Sequence, residues 1–98
     1  MITHHPIDLA DDSTTLLAAA SGKVNRLSHL NLQCDQAGTV AVLSGSTPLA
    51  SWVLPAAGPL VFDPVQIDHH IEAAEGEALI LQTTTLRATG HASTSRWP

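Results

Sequence analysis

The chain has no tyrosine, one phenylalanine (Phe62), two tryptophans (Trp52 and Trp97), one cysteine and only four basic residues. Each shortage narrows what the protein can do. A single cysteine, Cys34, rules out an intrachain disulfide, and its place in an alternating apolar run reads as a buried strand thiol. Lys23, Arg26, Arg87 and Arg96 are scattered, and with nine acidic residues they leave a formal charge of −5. No basic stripe exists to neutralise phosphates, so nucleic-acid binding is not expected. Two tryptophans without tyrosine make a weak platform for stacking sugars. Trp52, within Ala50–Leu54, reads as core, and Trp97, beside the end of the chain, as an anchor on a neighbour.

Charge of either sign is scarce, at 13% of the chain, roughly half the usual share. The surface must therefore consist largely of Ser, Thr, Ala and Gly, which suits packing against neighbouring protein. Long apolar runs are missing too. Met1–Asp8 has neither a basic leader nor an apolar stretch, so no signal peptide is expected. Gln36–Phe62 carries no charge, but Gly38, Gly45, Ser46, Pro48, Pro55, Gly58 and Pro59 interrupt it at strand-and-turn spacing. That is a set of short strands rather than a membrane helix, and no membrane contact is expected.

What remains is a 98-residue chain, enough for one domain with a thin core. Residues 1–13, with Asp8, Asp11, Asp12, two adjacent histidines and a proline, read as an extended N-terminal arm. From 14 to 92 short β-prone runs alternate with turn signals, and 93–98 form a polar tail. The first run, Thr14–Ala20, ends at Ser21-Gly22. Over Ala10–Ala20 a helix is also open, because Leu16, Leu17 and three alanines favour one, while Thr14-Thr15 and the following Ser-Gly favour a strand. In Lys23–Cys34, Leu30, Leu32 and Cys34 share one face, whereas Val24 and Leu27 fall on opposite faces. A bulge or two-sided burial near Arg26–Ser28 would reconcile them.

Asp35–Gly38 is a turn into Thr39–Leu43, and Ser44-Gly-Ser46 is a tight hairpin turn into Pro48–Leu54. Pro55–Gly58 leads to Leu60–Phe62. Val65–Ala73 reads as a loop plus a strand holding Ile67 and Ile71. Glu75-Gly-Glu77 turns the chain into Ala78–Thr84, and Leu86–Ala92 is the last run. The prediction is an all-β, single antiparallel β-sandwich of about eight strands, jelly-roll-like, with an extended N-terminal arm.

Histidine is the most tempting chemical signal. On a strand, Asp68, His70 and Glu72 would project together. One imidazole and two carboxylates leave a catalytic metal short of ligands, and nothing in the spacing of His29 or His91 designates either to complete the set. The row reads as an exposed or interface-facing polar row, and no metal or cofactor is expected. Cys34 has no motif around it, and Gly45-Ser46 lacks the flanks of a nucleophile elbow. Glu72, Glu75 and Glu77 crowd a turn, where a solvated charge cluster is the ordinary outcome, and no Gly-rich phosphate loop is present. The expected protein is not an enzyme.

Five ordered phrases span most of the chain: Ala18–Leu27 around Ser-Gly-Lys, Ala37–Leu49 around Ala-Gly-Thr-Val and Ser-Gly-Ser, Leu54–Val61, Ile71–Leu81 with Gly-Glu-Ala-Leu, and Leu86–Ala92 with Gly-His. Together they resemble a group of small β-sandwich virion proteins of tailed bacteriophages. The resemblance implies a structural component of the virion, foremost a capsid decoration (cement) protein. Such proteins sit as homotrimers on the outer capsid surface and clamp the major capsid protein. A tail or head-fibre accessory module that binds host-surface glycans is the alternative, and a small cupin-type metalloenzyme a third reading. The resemblance carries over no catalytic residues. The chain departs from the group at Arg26, where an aliphatic is expected, and in its His- and Asp-rich arm. The residues expected to meet partners lie at the rim: His4, His5, Asp8, Asp11 and Asp12 on the arm, Glu72, Glu75 and Glu77 around the turn, and Arg96 and Trp97 in the tail.

Overall fold

The turn signals fall close to where the chain reverses. A computed structural model describes residues 2–62 and 71–97. The strands are β1 (Ile2–Ala10), β2 (Ser13–Leu17), β3 (Val24–Cys34), β4 (Gly38–Ser44), β5 (Thr47–Leu54), β6 (Gly58–Phe62), β7 (Ile71–Glu72), β8 (Leu79–Thr84) and β9 (Arg87–Trp97). No helix occurs among the described residues: within the stretch Ala10–Ala20, Ala10 ends β1, the chain bends at Asp11–Asp12, and Ser13–Leu17 forms β2. The two-residue loop Gly45-Ser46 joins β4 to β5, and Gly45 takes the positive φ of 58° that such a tight reversal requires.

All pairings are antiparallel and form two sheets, β1-β9-β3-β6 with β7 on β3, and β2-β8-β4-β5. The pairs nest: β4 with β5 innermost, then β3 with β6, β2 with β8, and β1 with β9 outermost. That nesting is one long hairpin rolled into two packed sheets, a jelly roll, with β7 as a short addition. We call the first sheet A and the second sheet B.

Two boundaries differ from the sequence reading. Residues 2–10 are not an arm before the domain: β1 pairs with β9 from Ile2–Ser95 to Ala10–Arg87 and is the outermost layer of the roll. Ile7 and Leu9, buried against the core, are what dock it. Likewise Ser93–Trp97 is not a loose tail but the second half of β9, held between β1 and β3. Ser93, Thr94 and Ser95 are all buried there.

The core lies between the sheets. Sheet A contributes Ile7, Leu9, Leu27, Leu30, Leu32, Cys34, Leu60, Ala88 and Ala92, and sheet B contributes Leu16, Val40, Val42, Leu54, Leu79 and Leu81. In β3, Leu27 and Leu30 both face inward because the register with β9 shifts between Leu27 and His29. The extra residue, Ser28, is a bulge, one of the two arrangements that the sequence pattern left open. Trp52 is half-buried and rests on the core, 6.0 Å from the Phe62 ring. Gly90, at φ 147°, lies so close to β3 that a Cβ would meet the Asn31 carbonyl oxygen, so only glycine fits this central crossing.

Candidate functional site

Because side chains alternate along each strand, the register assigns every residue to the core or to one of two outer faces. The outer face of sheet A carries three cross-strand rows: His4–Ser93–His29, Pro6–His91–Asn31 and Asp8–Thr89–Gln33. Arg26, paired with Glu72 and Ser95, continues that face toward Trp97. The outer face of sheet B also carries rows: Ser13–Gln82–Ala41–Ser51, Thr15–Ile80–Leu43–Pro48 and Thr84–Thr39–Val53. None of these residues is charged. Val53 is 77% exposed and Leu49, beside Pro48, 37%. Every charged residue among the described ones lies on sheet A or in a turn.

Most of the rim residues singled out from the sequence turn out to hold the domain itself together. His4 Nδ1 lies 2.7 Å from Ser93 Oγ, and His5 Nε2 lies 2.7 Å from Thr94 Oγ1, so both histidines clip β1 to β9. Asp8 receives two 2.8 Å bonds from the Arg87 guanidinium. That fork holds the Asp8 carboxyl below the usual carboxylate range and lifts Arg87. Asp11, at φ 48°, accepts a bond from Thr85 N through its carboxylate, and Asp12 caps its own turn through Ser13 N.

At the opposite end of the sandwich, buried Asn25 organises a second group. Its amide nitrogen donates to the carbonyls of Ala18 (3.1 Å) and Glu77 (3.0 Å), while its oxygen accepts from Arg96 Nε at 3.0 Å. Arg96 also donates to the Ala18 carbonyl at 2.7 Å. Glu77 accepts from Ser44 Oγ at 2.8 Å, and Ser44 Oγ in turn accepts from Ala74 N. Arg96 and Glu77 thus tie three loops together, and Glu75 stands exposed in the intervening turn. Glu72 Oε1 lies 2.9 Å from Arg26 Nε, an ion pair whose alignment falls outside hydrogen-bonding geometry. The Arg26 guanidinium also sits 4.6 Å over the Trp97 ring, and Trp97 Nε1 donates to Ser95 Oγ. The arginine standing where an aliphatic was expected is therefore the hub of an ion-pair and cation–π cluster. Trp97 remains 41% exposed.

An open cleft of about 370 Å³ separates the edges of β1 and β2, with His5, Asp8 and Asp12 at its polar margin. Its two carboxylates are already engaged, with Arg87 and with Ser13 N. Of the row Asp68, His70 and Glu72, the first two residues lie outside the described part of the chain, and Glu72 faces Arg26. The described residues contain no cluster of three or more His, Cys, Asp or Glu side chains arranged to hold a metal ion. The interior that a cupin-type enzyme would use is packed with Leu, Val and Ala, and Cys34 points into it, its thiol pushed above its ordinary pKa first by burial and then by Asp35.

Two features escaped the sequence reading. One is the stacked pair of His29 and His91, with ring centroids 5.5 Å apart and planes 21° apart. The other is the uncharged face of sheet B, whose rows come from residues far apart in the chain. Comparison with known proteins finds no matching family model, no similar curated protein and no similar solved structure.

Proposed function

We propose that this chain is a non-enzymatic structural protein of a tailed-phage virion, a capsid decoration protein that binds the major capsid protein on the outer shell as a homotrimer and stabilises it. Jelly rolls serve viral capsids, lectins and cupins alike, so the fold does not choose among the three readings. The choice rests on surfaces. The observation that carries the proposal is the outer face of sheet B, where four adjacent strands present hydroxyl, amide and aliphatic groups without a single charge. Such a face can be laid against another protein without stranding an ion, and removing a charge from water is the largest penalty an interface can incur. The acidic turns and the mixed charges of sheet A stay in solvent, where net negative charge keeps a particle surface soluble. The ordered sequence phrases that resemble phage virion proteins point the same way.

The glycan-binding alternative needs an exposed flat ring. Trp52 is half-buried against Phe62 and the core, which leaves that reading without its principal platform. The test is sedimentation of purified protein with capsids built from the major capsid protein encoded in the same genome. Saturable co-sedimentation at micromolar concentration, together with a raised melting temperature of the capsid, is the expected result. Absence of both at tens of micromolar would sink the proposal.

A further inference from the structure

Strand β1 is the first in the chain and the outermost layer of the roll. It buries only Ile7 and Leu9, and the open cleft of about 370 Å³ lies between it and β2, so sheet B covers its inner side incompletely. What fastens it is the β9 ladder, with the His4–Ser93 and His5–Thr94 bonds across it. The connection to β2 is only Asp11-Asp12, yet it carries the chain from one sheet to the other. Asp11 takes a φ of 48° to do so, a left-handed backbone that residues other than glycine adopt at a cost. We propose that β1 is exchanged between copies of this chain: the Asp11-Asp12 hinge extends, and β1 of one copy takes the ladder position beside β9 of the next. The inference rests on the proposed homotrimer and names the strand that builds it.

Exchange preserves the contacts of β1 with β9. The receiving copy offers the same ladder, the same Ser93 and Thr94 hydroxyls and the same core positions for Ile7 and Leu9. The balance between closed and exchanged forms therefore falls to the hinge, and short hinges under strain favour exchange. Extension frees Asp11 from the left-handed region. It gives up the bond from Asp11 N to Leu86 O and the one from Thr85 N to the Asp11 carboxylate, which is exposed, so water takes its place. Addition at the free edge of β1 is the other route for a second copy, and Pro6, with no N–H to give, disfavours it. Each copy gives one strand and receives one, so exchange closes around three copies as it does around two.

Asp8 and Thr89, opposite each other and both exposed, are the pair with which to trap the strand. Counting along the ladder from the hydrogen-bonded Asp11–Leu86 pair makes theirs a non-hydrogen-bonded pair, close enough at the β carbons for a disulfide. The Asp8→Cys/Thr89→Cys protein is kept reduced until light scattering shows a constant size. It is then oxidised, denatured with N-ethylmaleimide present, which blocks the buried Cys34, and run on a non-reducing gel. The expected result is an oligomer in scattering whose interchain disulfides survive denaturation as bands of more than one chain. Asp11→Gly in the same background relieves the closed hinge and should lower the interchain fraction by about threefold or more. Melting temperatures establish that each variant is folded. An oligomer with only intrachain disulfides, equal bands from Thr89→Cys alone, or an interchain fraction unmoved by Asp11→Gly would overturn the exchange and leave the homotrimer reading standing. A monomer at every concentration, with intrachain disulfides, would overturn both.

Discussion

His5 turns inward from β1, and burial, with His4 beside it as the smaller cause, holds its pKa below the ordinary 6.5. The fold therefore favours neutral imidazole at this position, while the unfolded chain takes up a proton near the ordinary value. Below that value the unfolded state binds more protons than the folded state, so stability falls with acidification. The contribution is fully present above pH 6.5 and is lost as the pH drops from there toward the lowered folded value. Thermal melts at about pH 7.5 and about pH 5.5 should show a lower melting temperature in acid, and His5→Gln should narrow the gap. An unchanged gap in that variant would mean that other histidines carry the whole effect. Asp8 and Arg87 are a contrast. Their geometry is a well-aligned fork, but both side chains are more than half exposed, so solvent screening leaves the pair little weight in stability.

At the scale of strands, the edges formed by β1, β2, β5 and β6 are blunted. Asp11 N donates to Leu86 O, which makes that opposed pair a hydrogen-bonded one. Alternation then places Pro6, opposite His91, in a non-hydrogen-bonded pair, so its nitrogen faces away from β9. The missing N–H costs the ladder nothing and removes a donor from the middle of the free edge. Pro48 and a register shift do the same for β5, Pro59 for β6, and a register shift for β2. Strand addition at these edges is therefore disfavoured. Pro6→Val should restore a continuous edge and raise the fraction of larger species in light scattering, relative to the unaltered chain at equal concentration; identical scattering would mean that Asp8 and the adjacent turn protect β1 without the proline. These edges also explain which strands were legible in the sequence. Interior runs such as Val40–Val42 and Leu30–Cys34 alternate cleanly and are legible, and of the bulge or two-sided burial that the pattern near Arg26–Ser28 leaves open, β3 takes the bulge. Strand β1 buries only Ile7 and Leu9 and contains Pro6, so its period is too weak to see. The second half of β9 buries Ser93, Thr94 and Ser95, polar residues that carry no apolar signal at all. The candidate site was less legible than the fold. Residues picked for their chemistry, such as Arg96 and Glu77, are consumed by buried Asn25 and Ser44, while the stacked histidines depend on a β3–β9 register that no local pattern reveals.

For the whole molecule, what matters is that the two outer faces differ in kind. Sheet A exposes Asp8, Arg26, Glu72, Arg87 and three histidines, whereas sheet B exposes none of either sort. A molecule with formal charge −5 can approach a protein lattice at close range most cheaply through the face that brings no charge with it. Val53 is the sharpest probe of this, being the most exposed large apolar side chain there, on edge strand β5 and directly opposite Thr39. Val53→Glu leaves the core untouched, so the melting temperature should move by no more than a few degrees. It places one carboxylate at the β5 end of the neutral rows. If sheet B faces the shell, co-sedimentation with capsids should weaken by about tenfold or more, in line with the cost of burying an unpaired charge. Thr89→Glu puts the same charge on the outer face of sheet A, also on an exposed strand position. It should change capsid binding by less than about twofold beyond a modest salt-dependent effect on the association rate. The opposite ranking, with Thr89→Glu the damaging substitution, would assign the shell-facing surface to sheet A and leave the neutral face of sheet B pointing outward.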